Sequence, residues 1–197
     1  MKAGRHRSFD KDIALEQAME VFWRNGYPGT SLSDLTTAMG INKPSLYSAF
    51  GNKENLYKSA LEKYVEKHGV IHGKYLFSAD KLLTDRVQDY LISIAEMVTD
   101  PKLPSGCFVC ISTSEIGGTC IPKDAVQAIL KINAATKSFL IEAFSNEAMK
   151  SSVNSGRSPS VMACFVISLQ FGLAVMARNG ASFSELKEVI MFSTAQL

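Results

Sequence analysis

The sequence predicts an all-α fold of about nine helices. Apolar residues recur three and four positions apart in most segments, which places them on one face of a helix. Glycine, proline and asparagine separate these segments, as expected at helix ends. No segment has the alternating polar and apolar pattern of a strand, and no repeat of fixed period occurs. The sequence therefore favours a helix-on-helix architecture.

Length and composition fit a folded protein and leave open whether it forms one domain or two small ones. The 197 residues are 46% hydrophobic and 20% charged, which is ordinary for a globular chain. The net charge of +2 is too small to imply a nucleic-acid partner by itself. Residues 1–60 contain eight Lys/Arg and six Asp/Glu, and the remainder contains thirteen of each. The positive excess is therefore entirely N-terminal.

The first segment is a basic arm over residues 1–8, which contains Arg5 and Arg7. Such an arm can follow phosphates or enter a minor groove. It is equally compatible with a solvated terminus that has no role.

A first helix is predicted from about Asp10 to Asn25, capped by Ser8 or Asp10 and ended by Gly26. Its inward stripe is expected to be Ile13, Ala14, Ala18, Val21 and Phe22.

Two short helices and a tight turn are predicted next. Thr30 or Ser31 can cap the first of them, and Gly40 can adopt the positive φ that often ends a helix. Asn42 offers a cap for the second helix, and Pro44 suits its first turn. Two short helices joined in this way form a helix-turn-helix, the geometry of a DNA-reading unit.

The second short helix has one buried and one outward face. Leu46, Ala49 and Phe50 fall on one side at helical spacing and are expected to pack inward. The outward positions are Lys43, Ser45, Tyr47 and Ser48. Small and hydrogen-bonding side chains therefore face the binding partner.

Further helices are predicted over residues 53–70, 80–99, 107–116, 122–147, 160–179 and 184–194. The first of them is placed to connect the N-terminal unit mechanically to the rest of the chain. Residues 150–159 have the composition of a flexible linker.

The N-terminal sixty residues resemble the DNA-binding domain of the tetracycline-repressor (TetR/AcrR) family of bacterial transcription regulators. The matching segments are residues 18–22 (AMEVF), 26–32 (GYPGTSL), 40–50 (GINKPSLYSAF) and 52–56 (NKENL). Residues 103–108 (LPSGCF), with Glu115 downstream, are similar to a subset of the family whose sixth helix begins at Gly-Cys. The C-terminal helices resemble the family only in number and length.

The resemblance implies a ligand- or redox-responsive repressor that binds a palindromic double-stranded DNA operator as a homodimer. It implies a helix-turn-helix domain over residues 1–52 and a helical ligand-binding and dimerisation domain over residues 53–197. The positions assigned to DNA are Lys43, Pro44 and Ser45 at base edges, Tyr47 and Lys53 at phosphates, and Thr30 and Thr36 as further phosphate partners. The alternative interpretations are a half-buried packing ring for Tyr47 and an exposed first-turn lysine for Lys53.

The last two helices are too apolar on all sides to form the exposed surface of a monomer. We expect them to pair with their symmetry mates as a four-helix interface, the alternative being a purely intramolecular core. The predicted interface residues are Met162, Phe165, Val166, Leu169, Leu173, Met176, Val189 and Ile190.

An apolar cavity between the middle helices is the expected place for a small-molecule effector, which the sequence does not identify. The same residues are also compatible with ordinary core. The predicted pocket or sensor residues are Tyr90, Met97, Cys107, Phe108, Cys110, Ile111 and Phe139, with Phe77 and Phe144 beside them.

The four cysteines follow no secretory signal, so a reducing cytoplasm is expected. A thiol in the first turn of a helix has a lowered pKa that favours reaction with oxidants or electrophiles. The resemblance to the Gly-Cys subset makes Cys107 the best sensor candidate. Both Cys107 and Cys110 are also compatible with small buried side chains. A zinc site from these two, Cys120 and His68 or His72 is a weaker alternative. We predict no metal and no cofactor.

An enzyme is not predicted, because the sequence lacks a Ser/His/Asp ordering, a motif of paired carboxylates and a His-Glu-x-x-His motif. The competing class is a helical interaction or adaptor protein without sequence-specific DNA binding. Residues 161–177 are apolar but short and isolated, which favours a buried or interface helix over a membrane span. No membrane partner is therefore expected.

Overall fold

The structure is a computed structural model that describes residues 9–78, 80–118, 120–150 and 158–195, with no side-chain description for 147–150. The arm containing Arg5 and Arg7, and most of the predicted linker, lie outside the described residues. Nine α-helices and no strand occur within the described ranges, which confirms the all-α prediction. The helices are α1 (Lys11–Asn25), α2 (Leu32–Ala38), α3 (Lys43–Phe50), α4 (Lys53–Tyr64), α5 (Leu83–Val98), α6 (Phe108–Glu115), α7 (Lys123–Lys150), α8 (Pro159–Arg178) and α9 (Phe183–Thr194).

Side-chain caps fix the starts of the N-terminal helices. Asp10 accepts two backbone N–H groups of the first turn and so caps α1, as one of the two predicted alternatives. Ser31 and Asp34 accept each other's backbone N–H groups in a capping box that starts α2. Asn42 and Asn52 cap α3 and α4 through their side-chain oxygens. The boundaries of this region therefore follow from local sequence.

The buried face of α1 differs from the predicted stripe. Ile13 was expected to point inward, but its side chain is 57% exposed. Met19 and Trp23 are buried instead, at 2% and 0% exposure. The reason is that α1 packs against α4 and also against α2 and α6, so its buried face is wider and rotated away from Ile13.

The long helix that follows the helix-turn-helix changes pitch. Its α-helical part ends at Tyr64, earlier than predicted, and continues as a π-helix over Val65–Gly69 and a 3-10 helix over Val70–Phe77. Glycine weakens an α-helix, and both non-α segments contain one. At Gly73, an added Cβ would lie 2.8 Å from the Phe139 ring. The 3-10 segment therefore packs closely against α7.

The first of two hydrophobic cores joins α1, α2, α3 and α4 to α6 and the start of α7. Trp23 packs edge-on against Tyr64 with ring centroids 4.8 Å apart. Tyr57 packs in the same way against Phe22 and Phe108, at 5.0 and 5.6 Å. Because Phe108 belongs to α6, this core continues across the boundary that was predicted after residue 52.

The second core joins α5, the later part of α7, α8 and α9. Its central side chains are aliphatic, and Leu91, Leu140, Val166 and Ile190 are fully buried. Helix α7 contributes to both cores, with Ile129 in the first and Leu140 in the second. Helix α7 therefore connects the two cores directly.

Candidate nucleic-acid interface

Backbone geometry fixes the turn between α2 and α3. Gly40 adopts a φ of +61°, and its N–H donates to Thr37 O while the N–H of Ile41 donates to Thr36 O. This pair of hydrogen bonds is the Schellman arrangement that ends many helices. Asn42 follows directly as the cap of α3. The direction of α3 relative to α2 is therefore set by the turn itself.

Helix α3 has the two faces that its sequence predicts. Leu46 is fully buried and Phe50 is 9% exposed, both in the first core. The side chains at the surface are Lys43, Pro44, Tyr47 and Ser48, with Ser45 partly exposed. The exposed N-terminal turn carries the positive end of the helix dipole, which favours an anionic partner such as a phosphate.

Two predicted phosphate-contacting side chains lie at the far end of α3 and the start of α4. The Tyr47 side chain is 48% exposed. Lys53 Nζ donates to Tyr27 O at 2.7 Å and lies 4.2 Å from the centroid of the Tyr27 ring. Burial lowers the pKa of the Lys53 ammonium, and nearby Glu115 and Asp34 oppose that shift. An ammonium has three N–H donors, so Lys53 keeps donors for a second acceptor.

The two predicted threonines differ in accessibility. Thr30 is 2% exposed, and its hydroxyl donates to Gly26 O at 2.7 Å. Thr36 is partly exposed, and its hydroxyl lies 2.9 Å from Leu32 O within α2. The hydroxyl of Thr30 is therefore directed into the protein, whereas Thr36 remains at the surface.

The end of α8 contacts the end of α1 directly. The Arg178 guanidinium donates to Trp23 O at 3.3 Å and to Arg24 O at 2.7 Å, which are carbonyls of the last turn of α1. Trp23 Nε1 in turn donates to Gly106 O at 3.2 Å. Gly106 has a φ of +84°, and an added Cβ would lie 3.0 Å from Ala174 O. Helix α1 is thus bound to the C-terminal helices independently of α4.

A carboxylate from α6 adds a second connection. Glu115 Oε2 accepts the N–H of Tyr27 at 3.2 Å, in the turn between α1 and α2. Burial raises the pKa of Glu115, while this hydrogen bond and the charges of Arg178 and Lys53 act in the opposite direction. The sequence predicted a mechanical connection through the helix after residue 52, and it did not indicate these direct contacts.

The cysteine prediction requires a correction. Cys107 lies immediately before α6, as predicted, but burial raises the pKa of its thiol where the helix terminus was expected to lower it. Its Sγ accepts a hydrogen bond from Tyr64 Oη at 3.3 Å. Cys110 is 8% exposed, and burial raises the pKa of its thiol to about 11. Loss of hydration therefore outweighs the helix dipole at both thiols.

The predicted pocket residues are distributed over several environments. Phe108 and Cys110 are buried in the cores, and the Tyr90 hydroxyl is bonded to Gln170 Nε2 at 2.7 Å. Cys107, Ile111 and Phe139 are partly buried beside the cores. Met97 lines an open cleft of about 330 Å³ between α5 and the segment after α4. This cleft was not predicted from the sequence.

The alternative of a zinc site is not supported by the described residues, which contain no group of three or more His, Cys, Asp or Glu able to hold a metal ion. His68 packs between Trp23 and Tyr64, with ring centroids 5.4 Å from each. All four cysteines are free thiols.

The predicted interface residues fall into two groups. Met162, Val166, Leu173 and Ile190 are buried in the second core of their own protomer. Phe165, Leu169, Met176 and Val189 are partly exposed at the edge of that core. The large apolar side chains that α8 and α9 leave exposed are Val161, Val175, Met191 and Phe192.

Helix α8 is long and apolar enough to cross a membrane when judged by length and composition alone, with a mean hydropathy of 2.0. Its inner residues pack in the second core, and 33% of the apolar window is buried. Core helices of soluble proteins can have the same length and hydropathy.

The fold and the exposed face of α3 define a helix-turn-helix DNA-binding protein. The profile of bacterial regulatory proteins of the tetR family matches residues 14–60. The HTH-type transcriptional repressor ComR of Escherichia coli is 31% identical over 189 residues, which cover 94% of this chain and 88% of ComR. The HTH-type regulator YezE of Bacillus subtilis is 33% identical over 113 residues, or 57% of each chain.

Solved structures of TetR-family regulators have the same fold as this chain. Two structures of cysteine mutants of the TetR-family regulator CifR, complexed with 26-bp double-strand operator DNA, have TM-scores of 0.88 and 0.89 and are 31% identical to this chain. They cover 97% and 98% of it, and 98% of their own chains are matched. The chain belongs to the TetR family and is a DNA-binding transcription regulator, as the sequence resemblance predicted. Membership of the subset with Gly-Cys before α6 stays a prediction.

Proposed function

We propose that the protein is a cytoplasmic repressor that binds a palindromic operator as a homodimer and leaves it when a small-molecule effector binds the C-terminal helices. Repression is supported by ComR, which is named a transcriptional repressor. Operator binding is supported by the CifR complexes with operator DNA. The family consists of transcription regulators, which agrees with a protein that is not an enzyme.

The observation that carries this proposal is the exposed N-terminal turn of α3. Lys43 and Pro44 are exposed there and Ser45 is partly exposed, while Leu46 anchors the helix in the first core. Short side chains at the tip of a recognition helix can reach base edges in the major groove. We assign Lys43, Pro44 and Ser45 to base contacts on this basis.

Phosphate contacts are assigned to Tyr47, Lys53 and Thr36, which lie at the surface of α2, α3 and α4. Such contacts fix the orientation of the protein on the duplex and carry little sequence information. Thr30 is omitted, because its hydroxyl is buried and bonded to Gly26 O. Arg5 and Arg7 stay predictions from the sequence.

The dimer that we propose uses the outer face of α8 together with α9. Exposed residues recur along α8 at helical spacing, so they form one stripe, and Phe192 of α9 is 86% exposed. The residues of this stripe are Val161, Cys164, Ser168, Gly172 and Val175. Their small size permits two helices to approach closely, and two such helices from each protomer form a four-helix interface. Met162, Val166, Leu173 and Ile190 are omitted because they pack inside the protomer.

Dimerisation determines which operators can be read. A palindromic site presents its half-sites about one helical turn of DNA apart, roughly 34–36 Å. The two copies of α3 must match that distance, which is fixed by the α8 and α9 interface and transmitted through the contacts of α1, α4, α6 and α8. An effector that prefers another arrangement of the C-terminal helices would therefore lower operator affinity.

The pKa values of two cysteines bear on whether the signal is thiol oxidation or a bound ligand. The thiolate is the reactive form of cysteine, and the raised thiol pKa values of Cys107 and Cys110 reduce its population. We therefore favour a non-covalent ligand over oxidation of Cys107 or Cys110 as the signal.

The proposal is tested by a gel-shift assay with DNA from upstream of the protein's own gene, at physiological salt and with competitor DNA. We expect a specific complex that survives competition in the native protein and in a Lys58→Ala control on α4. Lys43→Ala should lose the preference for this DNA over a scrambled fragment. Binding that is purely non-specific and salt-sensitive would contradict the proposal and favour the adaptor alternative.

A further inference from the structure

The cleft beside α5 is lined by buried polar side chains and by apolar ones. It lies between the π-helical and 3-10 segments on one side and α5 with the following loop on the other. The side chains of His68, His72 and Ser93 line it and are 8%, 5% and 9% exposed. Its apolar lining consists of Ile71, Tyr75, Met97 and Leu103. A volume of about 330 Å³ is within the range of small-molecule sites.

The hydrogen bonds of Ser93 determine which nitrogen of His72 carries the proton. Ser93 Oγ donates its single hydrogen to Tyr90 O at 2.8 Å. With that hydrogen on Tyr90 O, we assign the 2.9 Å contact between Ser93 Oγ and His72 Nδ1 as Nδ1–H donating and Oγ accepting. A neutral imidazole with a proton on Nδ1 has only a lone pair on Nε2. His72 thus presents a hydrogen-bond acceptor.

This acceptor is buried and has no partner among the described residues. The Nε2 atoms of both His72 and His68 are enclosed without a hydrogen bond. Buried polar atoms are nearly always paired, so two orphaned nitrogens from side chains that line the same cleft indicate that something else satisfies them. Neither atom is open to water in the free protein, so a ligand must displace a rim side chain. Ile71, which is 49% exposed, has the room to move.

We infer that this cleft is the effector site, and that it binds a neutral, largely apolar molecule carrying an O–H or N–H donor that bonds to His72 Nε2. The inference rests on the proposed function, since it assigns a place and a chemical class to the effector of that proposal. A molecule without a donor leaves this acceptor without a hydrogen bond and should therefore bind more weakly.

The charges around the cleft support a neutral ligand. Burial lowers the pKa of His72 to about 4 and also lowers that of His68, so both rings are uncharged at neutral pH. Lys74, Glu96 and Asp100 also line the cleft, and Lys74 and Glu96 are exposed. Neither ring supplies a counter-ion, so a charged head group bonded to His72 Nε2 would lose hydration with only the solvent-exposed Lys74 near that ring.

The same site is in direct contact with the DNA-binding part of the chain. The His68 ring packs edge-on against Trp23 of α1 with centroids 5.4 Å apart. Trp23 Nε1 is bonded to Gly106 O, and Arg178 of α8 is bonded to Trp23 O. A ligand that moves His68 therefore acts on the point where α1, α8 and the loop before α6 meet. Helix α1 supports α2 and α3 through the first core.

A pair of isomers tests the inference on the intact protein. 1-Octanol and heptyl methyl ether have the same atoms and similar bulk, but only the alcohol has a donor. Trp23 is the sole tryptophan of the chain, so its emission reports directly on the site. We expect 1-octanol to change this emission saturably, and the ether to bind at least about tenfold more weakly because it leaves Nε2 unpaired. Only the alcohol should lower operator affinity.

Two substitutions assign the effect to His72. His72→Phe removes the acceptor and should bring the affinities for the two isomers to within about twofold of each other, because neither can then form the hydrogen bond. His72→Gln supplies an amide oxygen and should retain part of the preference for the alcohol. Circular dichroism checks that both variants fold. The comparison of isomers on the native chain requires no variant at all.

The outcomes separate this inference from the proposed function. Equal binding of both isomers, no saturable binding of 1-octanol, or an unchanged preference in His72→Phe would each overturn the inference. Operator binding without any ligand is measured independently by gel shift. A protein that binds operator but does not distinguish the isomers retains the proposed function and overturns the inference. A protein that distinguishes the isomers without binding operator keeps the ligand site, but both the proposed function and the effector role of the cleft are then wrong.

Discussion

The two hydrophobic cores of the protein are built from different kinds of side chain. In the first, the aromatic rings of Phe22, Trp23, Tyr57 and Tyr64 pack edge-on, and their polar atoms are paired within the protein. The second is mainly aliphatic and leaves apolar side chains of α8 and α9 exposed, such as Phe192. The first core is complete within one protomer, whereas the second ends at the surface that we propose as the dimer interface.

This difference in side chains suits the two regions to different roles in a regulator. Aromatic packing with satisfied polar groups holds the DNA-reading helices in one arrangement. Aliphatic surface has no directional bonds to lose, so it can exchange one set of contacts for another. The cleft with the two histidine nitrogens that have no partner among the described residues lies where the two regions meet. Four predictions probe the contrast between the two regions.

The largest effect is expected within the first core. Trp23→Ala removes a fully buried ring together with its hydrogen bond to Gly106 O, and should lower the free energy of unfolding by about 3–5 kcal/mol. Phe192→Ala, at a side chain that is 86% exposed, should change the stability of the dilute protomer by less than about 0.5 kcal/mol. Urea denaturation at low protein concentration measures both. Similar losses at the two positions would remove the distinction between the regions.

A charge on the outer face of α8 should separate the protomers. Val175→Glu places a carboxylate at a position that is 52% exposed in the protomer and buried in the proposed dimer. Sedimentation should show a monomer, and operator affinity should fall by about 100-fold because the two recognition helices no longer bind together. Val70→Glu is the matched control, since Val70 is 64% exposed on the 3-10 segment. A dimeric Val175→Glu protein would place the interface elsewhere.

The stability that His72 contributes at the boundary between the two regions should fall in acid. The pKa of His72 is about 4 in the folded protein, below the ordinary value of 6.5, so the unfolded chain binds a proton first as the pH falls. The contribution of neutral His72 is fully present above pH 6.5 and is lost as the pH falls toward 4. Between pH 7 and pH 4.5, the native protein should lose about 2 kcal/mol more than His72→Gln, allowing for solvent in the open cleft. Parallel pH profiles of the two proteins would contradict this assignment.

The smallest effect concerns a single phosphate contact. Lys53→Ala should weaken operator binding by about 1 kcal/mol and lower the slope of log affinity against log salt by about one unit. Lys53 also donates to Tyr27 O, so the stability of the variant must be compared in the absence of DNA. Lys58→Ala on the same helix serves as the control. An unchanged salt slope would remove Lys53 from the contacts.

The parts of the fold that were predicted correctly depend on neighbouring residues. Asn42 and Gly40 act within their own turn, so their roles as cap and helix end could be inferred from sequence. The buried state of Cys107 depends on Tyr64, which is 43 residues away, and this reversed the expected direction of its pKa shift. The 3-10 segment likewise packs closely on Phe139, a residue distant in sequence.

In the candidate site, too, features set by neighbouring residues were predicted and features set by distant residues were not. The outward positions of α3 follow from helical spacing, and the structure places Lys43, Pro44 and Tyr47 at the surface as expected. Helical spacing in α8 did not reveal which apolar face points inward, because that helix is apolar on every side. The cleft at His72 combines residues from three separate segments, and its unpaired nitrogen is defined by the hydrogen bonds of Ser93.

Gly172, in the middle of the outer stripe of α8, has nothing within 4 Å of the position that a Cβ would occupy. A methyl group there fits the protomer without strain, yet in the proposed dimer it would stand between two crossing helices. Gly172→Ala would then leave folding intact and push the two copies of α3 apart by a fraction of a helical diameter. Operators with an added base pair between their half-sites should gain affinity relative to the natural spacing. The absence of a side chain at Gly172 would thus determine the half-site spacing that the protein recognises.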